Sequence, residues 1–313
     1  MKRSLIKLFV LNLLFLLVCI FSRCISEDTN SCPTDKQNNL ILKFVYTDNR
    51  KNDLFMDYIH QVEVFIFNNQ EYLVRRQTID KTALSVFSGT KLNLAPGKYR
   101  IVCWGNTMNR SKFDGIDIGS NFTNAFVRNS SLQNNAATNG DPLFYAPLES
   151  QKFIVTIPPK GAINETISFC CAHIKIEIYI KGFEYLSPLG STLTPLVELT
   201  NISAEYNFDM KSCCSNISNI DAASYRIIEG QQLAVINFYT PIFTEDTPSK
   251  IFIKKQSDGS ILTTISLKEF IKQNNIKLIS SHQTVIPILV EYKSTTVNIT
   301  LPGWRQNPTE PEL

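Results

Sequence analysis

The chain has 313 residues, of which 43% are hydrophobic and 19% are charged. This composition excludes a disordered or collagen-like chain, and the presence of only one long apolar run excludes a membrane protein with several spans. The 31 basic and 28 acidic residues give a net charge of +3, but residues 1–23 contain four of the basic residues and no acidic one. Without that segment the charge is −1, so nothing in the charge supports nucleic-acid binding.

Residues 1–23 have the organisation of an export signal. Three basic residues precede an apolar run from Leu8 to Phe21, in which Asn12 is the only clearly polar residue. A run of this length is too short for a comfortable membrane span, which needs ~20 residues, but it suits the apolar core of a signal peptide. We therefore predict that the protein is exported.

Cys24 follows the apolar run at the place where a bacterial lipoprotein carries its acylated cysteine, and residues 24–39 would form the tether. Arg23 departs from the small residue that the lipoprotein signal peptidase prefers there. Ordinary cleavage that leaves Cys24 as a plain thiol therefore stays an alternative, and Cys19 is a less suitable acylation site. Each buried methylene contributes ~0.8 kcal/mol, so several acyl chains hold firmly where a single one binds marginally.

From residue 40 onward the dominant hydrophobic period is two, which predicts β-strands. In chain order, the predicted strands cover residues 40–46, 62–67, 91–94, 99–104, 153–157, 173–180, 233–239, 250–254, 285–292 and 297–301. The Ala-Pro-Gly-Lys turn at 95–98 predicts a hairpin between two of them. In residues 173–180, isoleucine at every second position predicts a half-buried strand. Ser266 followed by Glu269 predicts a capping box at the start of a short helix.

Many short strands without alternating helices predict antiparallel β-sandwiches. The Pro-Pro-Lys-Gly stretch at 158–161 is the best boundary between domains. We therefore predict one sandwich over residues 40–158 and a second over residues 159–306, with Thr166 to Phe169 opening the second. The Asn- and Ser-rich residues 120–141 predict a long loop, and residues 307–313 predict a flexible tail.

No sequence motif points to catalysis. The three histidines, His60, His173 and His282, lie in or beside predicted strands, and no nucleophile elbow, zinc-protease motif or phosphate-binding loop is present. Cys103 lies within a predicted strand and is most simply a core thiol. A carboxylate pair that assembles in space would escape detection in the sequence. We predict no enzymatic activity, no cofactor and no metal site.

Two pairs of adjacent cysteines occur in the second half, Cys170-Cys171 and Cys213-Cys214. Together with His173 they supply enough soft ligands for zinc, but neighbours on a strand point to opposite faces, so one pair cannot easily chelate one ion. Two disulfides between the pairs are the favoured interpretation, since export permits oxidation. Plain buried thiols are the alternative.

Seven Asn-X-Ser/Thr triplets occur, at Asn109, Asn121, Asn129, Asn164, Asn201, Asn216 and Asn298. In a eukaryotic secreted protein they would predict a glycan-covered surface. In an Asn-rich bacterial chain such triplets arise by chance, and the lipoprotein-like amino terminus favours this second interpretation.

Several segments follow one another in a characteristic order. They are Cys24, the acidic spacer with Glu27 and Asp28, Cys32-Pro33, the strands at 40–46 and 62–67, the run LNLAPGKYRIVCWGN at 92–106, and VNITLPGW at 297–304. This order resembles that of the FimB-type fimbrial anchor lipoproteins of Bacteroidales over nearly the whole mature chain. The most specific piece is the L-x-L-x-P-G-x-Y pattern followed by W-G-N.

The resemblance implies an all-β protein of two tandem transthyretin-like antiparallel β-sandwich domains with few short helices. It implies a lipoprotein of the cell outer membrane and the fimbrium, tethered by acyl chains such as palmitate on Cys24. Such a protein anchors or terminates a fimbrial filament, so its partners would be shaft or accessory subunits and outer-membrane lipid, with no nucleic acid. Tyr99, Trp104 and Asn106 would be structural residues of the core motif.

The terminal strand offers a means of joining the filament. Val297, Ile299 and Leu301 share one face, with Asn298 and Thr300 opposite. A strand added to a neighbouring sheet pairs through its backbone and fills pockets with alternate side chains. Burial of three such side chains would contribute roughly 5–9 kcal/mol before ordering costs are subtracted. The alternative is that this strand closes its own sandwich.

A second functional hypothesis is a cell-surface lipoprotein adhesin that binds host glycan or protein. Loops between the strands of a sandwich commonly carry recognition, so residues 120–141 would be its contact surface. An exported hydrolase has the least support, because the chain offers few acid–base groups.

Overall fold

The computed structural model describes residues 38–48, 51–133, 136–147, 153–186, 194–213, 217–278 and 282–304. The predicted signal peptide, residues 24–37 of the predicted tether with Cys24, Cys214 and the predicted tail at 307–313 lie outside the described residues. The described residues all belong to one unit, Asn38–Leu313.

Strands dominate the described part of the chain. In chain order they are β1 (Leu40–Val45), β2 (Val62–Asn68), β3 (Leu73–Ile79), β4 (Gly89–Leu92), β5 (Gly97–Gly105), β6 (Ser111–Asp114), β7 (Phe126–Asn129), β8 (Ala136–Ala137), β9 (Phe144–Ala146), β10 (Ile154–Ile157), β11 (Ile163–Ser168), β12 (Cys170–Cys171), β13 (Ile174–Lys181), β14 (Pro195–Ile202), β15 (Glu205–Asn207), β16 (Ser212–Cys213), β17 (Ile217–Ala222), β18 (Ser224–Ile228), β19 (Gln231–Thr240), β20 (Lys250–Lys255), β21 (Ile261–Ser266), β22 (Thr284–Tyr292) and β23 (Val297–Thr300). The helices are α1 (Phe55–Tyr58), α2 (Lys81–Val86) and α3 (Leu267–Gln273), with 3₁₀ turns at Phe122–Asn124 and Phe183–Leu186.

The strands form five sheets. Sheet 1 has the order β11-β1-β4, sheet 2 the order β12-β9-β5-β2-β3 with β10 also on β5, sheet 3 the order β18-β19-β13-β22-β23, sheet 4 the order β21-β20-β14-β17-β8, and sheet 5 the order β16-β15-β7-β6. Most pairs are antiparallel, while β1 with β11, β13 with β22 and β8 with β17 are parallel. The predicted all-β sandwich class is confirmed.

Sheets 1 and 2 enclose the first core. Leu40, Leu42 and Phe44 of β1 contribute fully buried side chains, and Ile101 and Cys103 of β5 meet them from the other sheet. The alternating pattern of β1 explains this packing, because its odd-numbered positions face away from the core. Cys103 is therefore the core thiol that the strand pattern predicts.

The central strands of sheet 2 are buried on both faces. Their second face, with Phe65 and Phe67 of β2 and Trp104 of β5, packs on Tyr206 and Phe208 to form the third core. Consecutive apolar residues in β2 are therefore all buried, which is the pattern of a strand covered on both sides.

Sheets 3 and 4 enclose the second core, the largest in the molecule's described part. Ile174, Ile176, Ile178 and Ile180 of β13 all face it, which confirms the predicted isoleucine face. The opposite face of β13 is not open to solvent, because Tyr179 is also buried in an outer cluster with Leu233, Val235 and Leu289. The expectation of a half-buried strand is wrong on this face.

The turn at 95–98 does not close a hairpin. Leu92 ends β4 in sheet 1, whereas Gly97 begins β5 in sheet 2. The side chain of Asn39 supports the crossing, since its Nδ2 donates to Leu94 O at 2.7 Å and its Oδ1 accepts from Leu94 N at 3.0 Å. Because the side chains of both strands face the same core from opposite sides, the turn forms a corner of the sandwich.

Residues 120–141 are not one long loop. They contain the 3₁₀ turn Phe122–Asn124 and the strands β7 and β8. Phe122, Ala125 and Val127 are buried in the third core, so apolar residues dispersed among Asn and Ser order this segment. The strand β7 also pairs with β15, which joins the first half of the chain to the second in sheet 5.

The serine half of the predicted capping box is confirmed. Ser266 is the N-cap of α3, and its Oγ accepts a hydrogen bond from Glu269 N at 3.4 Å. Leu267, Phe270 and Ile271 lie on the buried side of the helix and pack into the second core. The helix therefore covers the end of the sandwich between sheets 3 and 4.

The segment that was expected to open the second sandwich lies elsewhere. Residues 166–169 belong to β11 and its end, and β11 pairs in parallel with β1 in sheet 1. The sequence pattern identifies the strand but carries no information about its distant partner. A division into two domains near residue 158 stays a prediction.

Candidate functional site

The terminal strand β23 lies at the edge of sheet 3. It pairs antiparallel with β22, with Thr300 opposite Leu289 and Val297 opposite Tyr292. The next strands inward, β22 and β13, are buried along nearly their whole length. Within the described residues β23 therefore completes its own sheet and leaves one backbone edge unpaired.

The three residues predicted for strand exchange are not equally buried. Ile299 and Leu301 are partly buried and pack against the second core. Val297 is 42% exposed, because it lies at the hairpin end of β23 and beyond the edge of the core. Two of the three side chains thus anchor this strand.

Trp304 fastens the chain just after β23. Its ring stands edge-on to Tyr179, with 5.6 Å between the ring centres, and packs on the outer cluster of sheet 3. Ile299 and Leu301 contact the inner side of this sheet and Trp304 its outer side. The last described residues are therefore held from both sides of one sheet edge.

The cysteines of the first predicted pair point to opposite sides of β12. Cys170 lies in the third core and donates from Sγ to Tyr145 O at 3.4 Å, while Cys171 lies in the first core. This confirms that neighbours on a strand diverge. Both thiols of this pair are buried, and Cys214 of the second pair lies outside the described residues. The disulfides between the two pairs therefore stay a prediction.

His173 is a buried structural residue. Its Nδ1 donates to Leu143 O at 2.9 Å and lies 3.3 Å from Cys171 Sγ. Complete burial lowers the pKa of His173 from 6.5 to about 4, because the charged imidazolium would lose its hydration. Burial likewise raises the pKa of the Cys171 thiol. A neutral imidazole beside a protonated thiol is not an activated nucleophile.

The other two histidines contact residues of neighbouring segments. His60 donates its backbone N–H to Asn106 Oδ1 at 2.8 Å. His282 places Nδ1 3.1 Å from Oδ1 of Asp48, which also accepts from Gln283 N at 3.2 Å. This contact links the segment after β1 to the start of β22. Among the described residues, His, Cys, Asp and Glu side chains form no group of three that could hold a metal ion.

Asn106 joins three segments at the end of β5. It has a left-handed backbone with φ of 61° and is 2% exposed. Its Nδ2 donates to Tyr58 O at 2.7 Å and Pro142 O at 3.2 Å, while its Oδ1 accepts from His60 N. An asparagine tolerates this backbone conformation and satisfies three buried groups at once.

The other two motif residues serve the same part of the fold. Trp104 is fully buried and contacts Tyr145, with 4.7 Å between the ring centres. Tyr99 donates from its hydroxyl to Ala95 O at 3.0 Å, which braces the corner between sheets 1 and 2. These contacts are structural.

Sequence reasoning missed Arg100, which connects distant parts of the chain. Its guanidinium bonds to Glu71 Oε2 at 3.0 Å and to Asp209 Oδ1 at 2.9 Å. A basic residue at an otherwise apolar strand position was the available signal, because a charge there must find partners when it is buried.

Two cavities differ in what they could hold. One of about 30 Å³ is lined by His173, Asn219 and Thr240, and this volume suits water but not a larger ligand. The other is an open groove of about 390 Å³ with Arg226 and Tyr239 among its lining residues. Within the described part of the chain, the buried Oδ1 of Asn237 at this groove has no hydrogen-bond partner.

No helix within the described ranges has the length and apolar character needed to cross a membrane. Comparison with curated protein sequences gives no match. Among solved structures, the chain is similar to the fimbrial anchor protein Mfa2 from Porphyromonas gingivalis, at 15% identity and a TM-score of 0.59, over 83% of this chain and 94% of that chain.

Two further solved structures are similar. One is a candidate adhesin from Bacteroides ovatus, at 14% identity and a TM-score of 0.65, over 85% of this chain and 93% of that chain. The other is a candidate polysaccharide-binding protein from Bacteroides thetaiotaomicron, at 13% identity and a TM-score of 0.61, over 82% and 91%. At these identities the likeness shows the fold.

The family match covers far more of the chain than any single motif. Residues 29–306 match the family described as fimbrillin-A associated anchor proteins Mfa1 and Mfa2. The resemblance drawn from the ordered segments is thereby confirmed. The chain belongs to the family of fimbrillin-A associated anchor proteins.

Proposed function

We propose that this protein is a structural subunit that anchors or terminates a fimbrial filament at the outer membrane. Acyl chains on Cys24 hold it in the membrane, and exchange of β23 joins it to a shaft subunit. Family membership supports a fimbrial role at the cell surface. The protein acts through assembly and not through catalysis, in keeping with the burial of His173, Cys103 and Cys171, which take part in packing.

The observation that carries this proposal is the position of β23. It is a four-residue edge strand, so few backbone bonds hold it. Its departure uncovers the edge of β22, while β13 and β19 still hold the remainder of sheet 3. The donated strand would fill a neighbour's sheet with Ile299 and Leu301, and Val297 would gain the burial that it lacks here.

A reducible disulfide between β22 and β23 tests the proposed strand exchange. Glu291 and Asn298 are directly opposite each other in β22 and β23, so the double variant Glu291→Cys, Asn298→Cys would close a disulfide across the pair. Under oxidising conditions the locked protein should fail to co-purify with the shaft subunit, and a reductant should restore co-purification. Unchanged co-purification of the oxidised protein would reject exchange of β23. Each single variant is a control.

The membrane tether has its own test. Mass spectrometry of the mature amino-terminal peptide should show an acylated Cys24, and Cys24→Ala should release the protein from the outer-membrane fraction. An unmodified Cys24 within a differently cleaved peptide would reject lipidation. Deletion of the protein should yield detached or abnormally long fimbriae, whereas unchanged fimbriae would reject the anchoring role.

A second candidate function is adhesion to host glycan. The open groove favours it, because an aromatic residue, Tyr239, and the planar donors of Arg226 both line it. Such groups are the ones that bind polyhydroxylated ligands. A glycan array with the intact protein should show binding that Tyr239→Ala abolishes. If no glycan binds, adhesion to glycan is rejected and anchoring is the only function that remains proposed.

A further inference from the structure

Two parallel strand pairs stand out in a fold that is otherwise mostly antiparallel. The strands β1 and β11 match six residues, from Leu40 opposite Ile163 to Val45 opposite Ser168. The strands β13 and β22 match eight residues, from Ile174 opposite Thr284 onward. The pair β1–β11 lies where a pull on the amino-terminal side of the chain would first be felt, and β13–β22 lies inward of β23 on the carboxyl-terminal side.

This inference rests on the proposed function, in which a tether pulls at the amino end of β1 and a filament pulls through β23. In a parallel pair, the amino end of one strand and the carboxyl end of the other lie at opposite ends of the ladder. Tension that enters β1 before Leu40 and leaves β11 after Ser168 therefore slides one strand along the other. All the backbone bonds of the pair must then yield together instead of one after another.

The bonds at both ends of the first pair are in place. Ile163 N donates to Asn39 O at 3.0 Å, and Phe169 N donates to Val45 O at 2.8 Å. While this pair holds, tension bypasses residues 46–162, which lie in the loop that the pair closes. The strands β2, β3, β4, β5, β9 and β10 of sheets 1 and 2 are thereby protected from the pull.

The second pair continues the same path. Only residues 169–173 separate β11 from β13, so tension leaving the first pair enters β13 at its amino end. It then leaves β22 at the carboxyl end, again at the opposite end of a parallel ladder. An ion pair between Lys181 and Glu291, with N–O of 3.3 Å, closes that end of the ladder.

The antiparallel strand β23 responds differently. A pull on the chain after Trp304 first breaks the contact of Trp304 with Tyr179. It then reaches the Thr300–Leu289 pair and opens the ladder one pair at a time. The same tension therefore peels β23 easily but meets resistance at β22.

We propose that β1–β11 and β13–β22 act in series as two mechanical clamps, which let the protein carry filament tension without unfolding. The chain that bears load is confined to residues 38–45, 163–181 and 284–301. The remaining segments can bind or exchange partners without carrying that load.

Single-molecule pulling on the whole chain from residue 24 onward, with handles at both ends, tests the first clamp. Along β11 every second backbone N–H points toward β1, as those of Ile163 and Phe169 do. The N–H of Glu165 therefore points toward β1 and that of Thr166 points away from it. Both side chains are exposed. Glu165→Pro, which removes one clamp bond, should shorten the lifetime under a fixed load about tenfold. Thr166→Pro should change that lifetime less than about twofold, and Glu165→Gln should leave it unchanged.

A second pulling geometry needs no change in the clamp itself. An attachment tag inserted between Lys160 and Gly161, in an exposed turn, lets force act on the amino ends of β1 and β11 together. The pair should then peel, and the lifetime at the same load should fall more than about tenfold. Rupture in the end-to-end geometry should release residues 46–162 as one step of roughly 400 Å.

Equal lifetimes for folded Glu165→Pro and Thr166→Pro would overturn the clamp, and so would equal lifetimes in the two pulling geometries. If Glu165→Pro does not fold, the comparison of geometries decides alone. These measurements use no shaft subunit and no membrane. A failed clamp would therefore leave the anchoring function standing, whereas unchanged fimbriae in the deletion strain would reject that function without touching the clamp.

Discussion

Arg100 and Asp209 lie 109 positions apart in the chain and form an ion pair, with Nη2 of the arginine 2.9 Å from Oδ1 of the aspartate. The same guanidinium bonds to Glu71 and stacks on Phe122, with its central carbon 3.4 Å from the ring centre. The arginine side chain is only 9% exposed, whereas the carboxylates of Glu71 and Asp209 remain in contact with solvent. One side chain thus holds β5 to segments from both halves of the chain.

Arg100→Met tests the worth of this arrangement. The variant keeps part of the buried stem and loses the charged bonds, so we expect the free energy of unfolding to fall by about 1–3 kcal/mol. Arg100→Ala should lower the free energy of unfolding further, because it also leaves a cavity. Urea denaturation measures both, and Arg226→Met on the exposed edge strand β18 is the control. A loss no larger than that of the control would show that the ion pairs do not stabilise the fold.

The burial of His173 predicts a pH dependence of stability. The unfolded imidazole binds a proton near pH 6.5, whereas the folded one does so only near pH 4. Between these values the unfolded state binds more protons, so the free energy of unfolding falls as the pH falls. The part due to His173 should reach about 3 kcal/mol below pH 4 and be absent above pH 6.5.

His173→Asn separates this contribution from that of other groups. The amide retains a donor toward Leu143 O but does not titrate. Urea unfolding measured from pH 7 to pH 4 should therefore show a shallower loss in the variant than in the original protein. Parallel curves would mean that His173 titrates normally in the folded state.

Asn106 combines a left-handed backbone with three buried hydrogen bonds, and two substitutions separate these roles. Asn106→Ala should lower the free energy of unfolding by about 3 kcal/mol, since it loses the bonds and strains the backbone. Asn106→Gly should be less destabilising by about 1 kcal/mol because glycine accepts the conformation freely. Thermal and urea unfolding give both values.

Asn201 is a matched control for Asn106. It has a similar φ of 56° but is only half-buried, and its Nδ2 makes one bond, to Pro248 O at 3.0 Å. Asn201→Gly should therefore change stability little. If Asn106→Gly were equally mild, the hydrogen bonds of Asn106 would not be what secures the end of β5.

The different burial of the cysteines predicts selective chemical labelling. Cys103 and Cys171 are buried, and burial raises the pKa of each thiol, so a thiol reagent should leave them intact in the folded protein. Cys213 is half-buried and should react first. Peptide mapping before and after unfolding in urea measures the order. A peptide that links Cys170 or Cys171 to the pair at 213–214 without reduction would instead establish the disulfides expected from the sequence.

The sequence by itself determined where the most regular strands lie, such as β1, β2, β13 and β22, whereas β7 and β8 lie within residues 120–141, where it predicted a loop. The isoleucines of β13, the serine cap of α3 and the buried Cys103 all follow from spacing along a few residues. Such patterns are local, because a strand turns its side chains to opposite faces whatever its partner is. The ordered family segments likewise sufficed to indicate a fimbrial anchor.

Only the tertiary structure decided which strands meet. The alternating pattern of residues 163–168 would suit a strand of either sandwich. The backbone bonds to β1 place this strand in sheet 1. Burial of the second face of β2 depends on Phe208, which is remote in the sequence. The partner of Arg100, Asp209, is equally remote. Pairing across a hundred residues is set by the balance of all packing contacts together, and no short stretch of sequence encodes it.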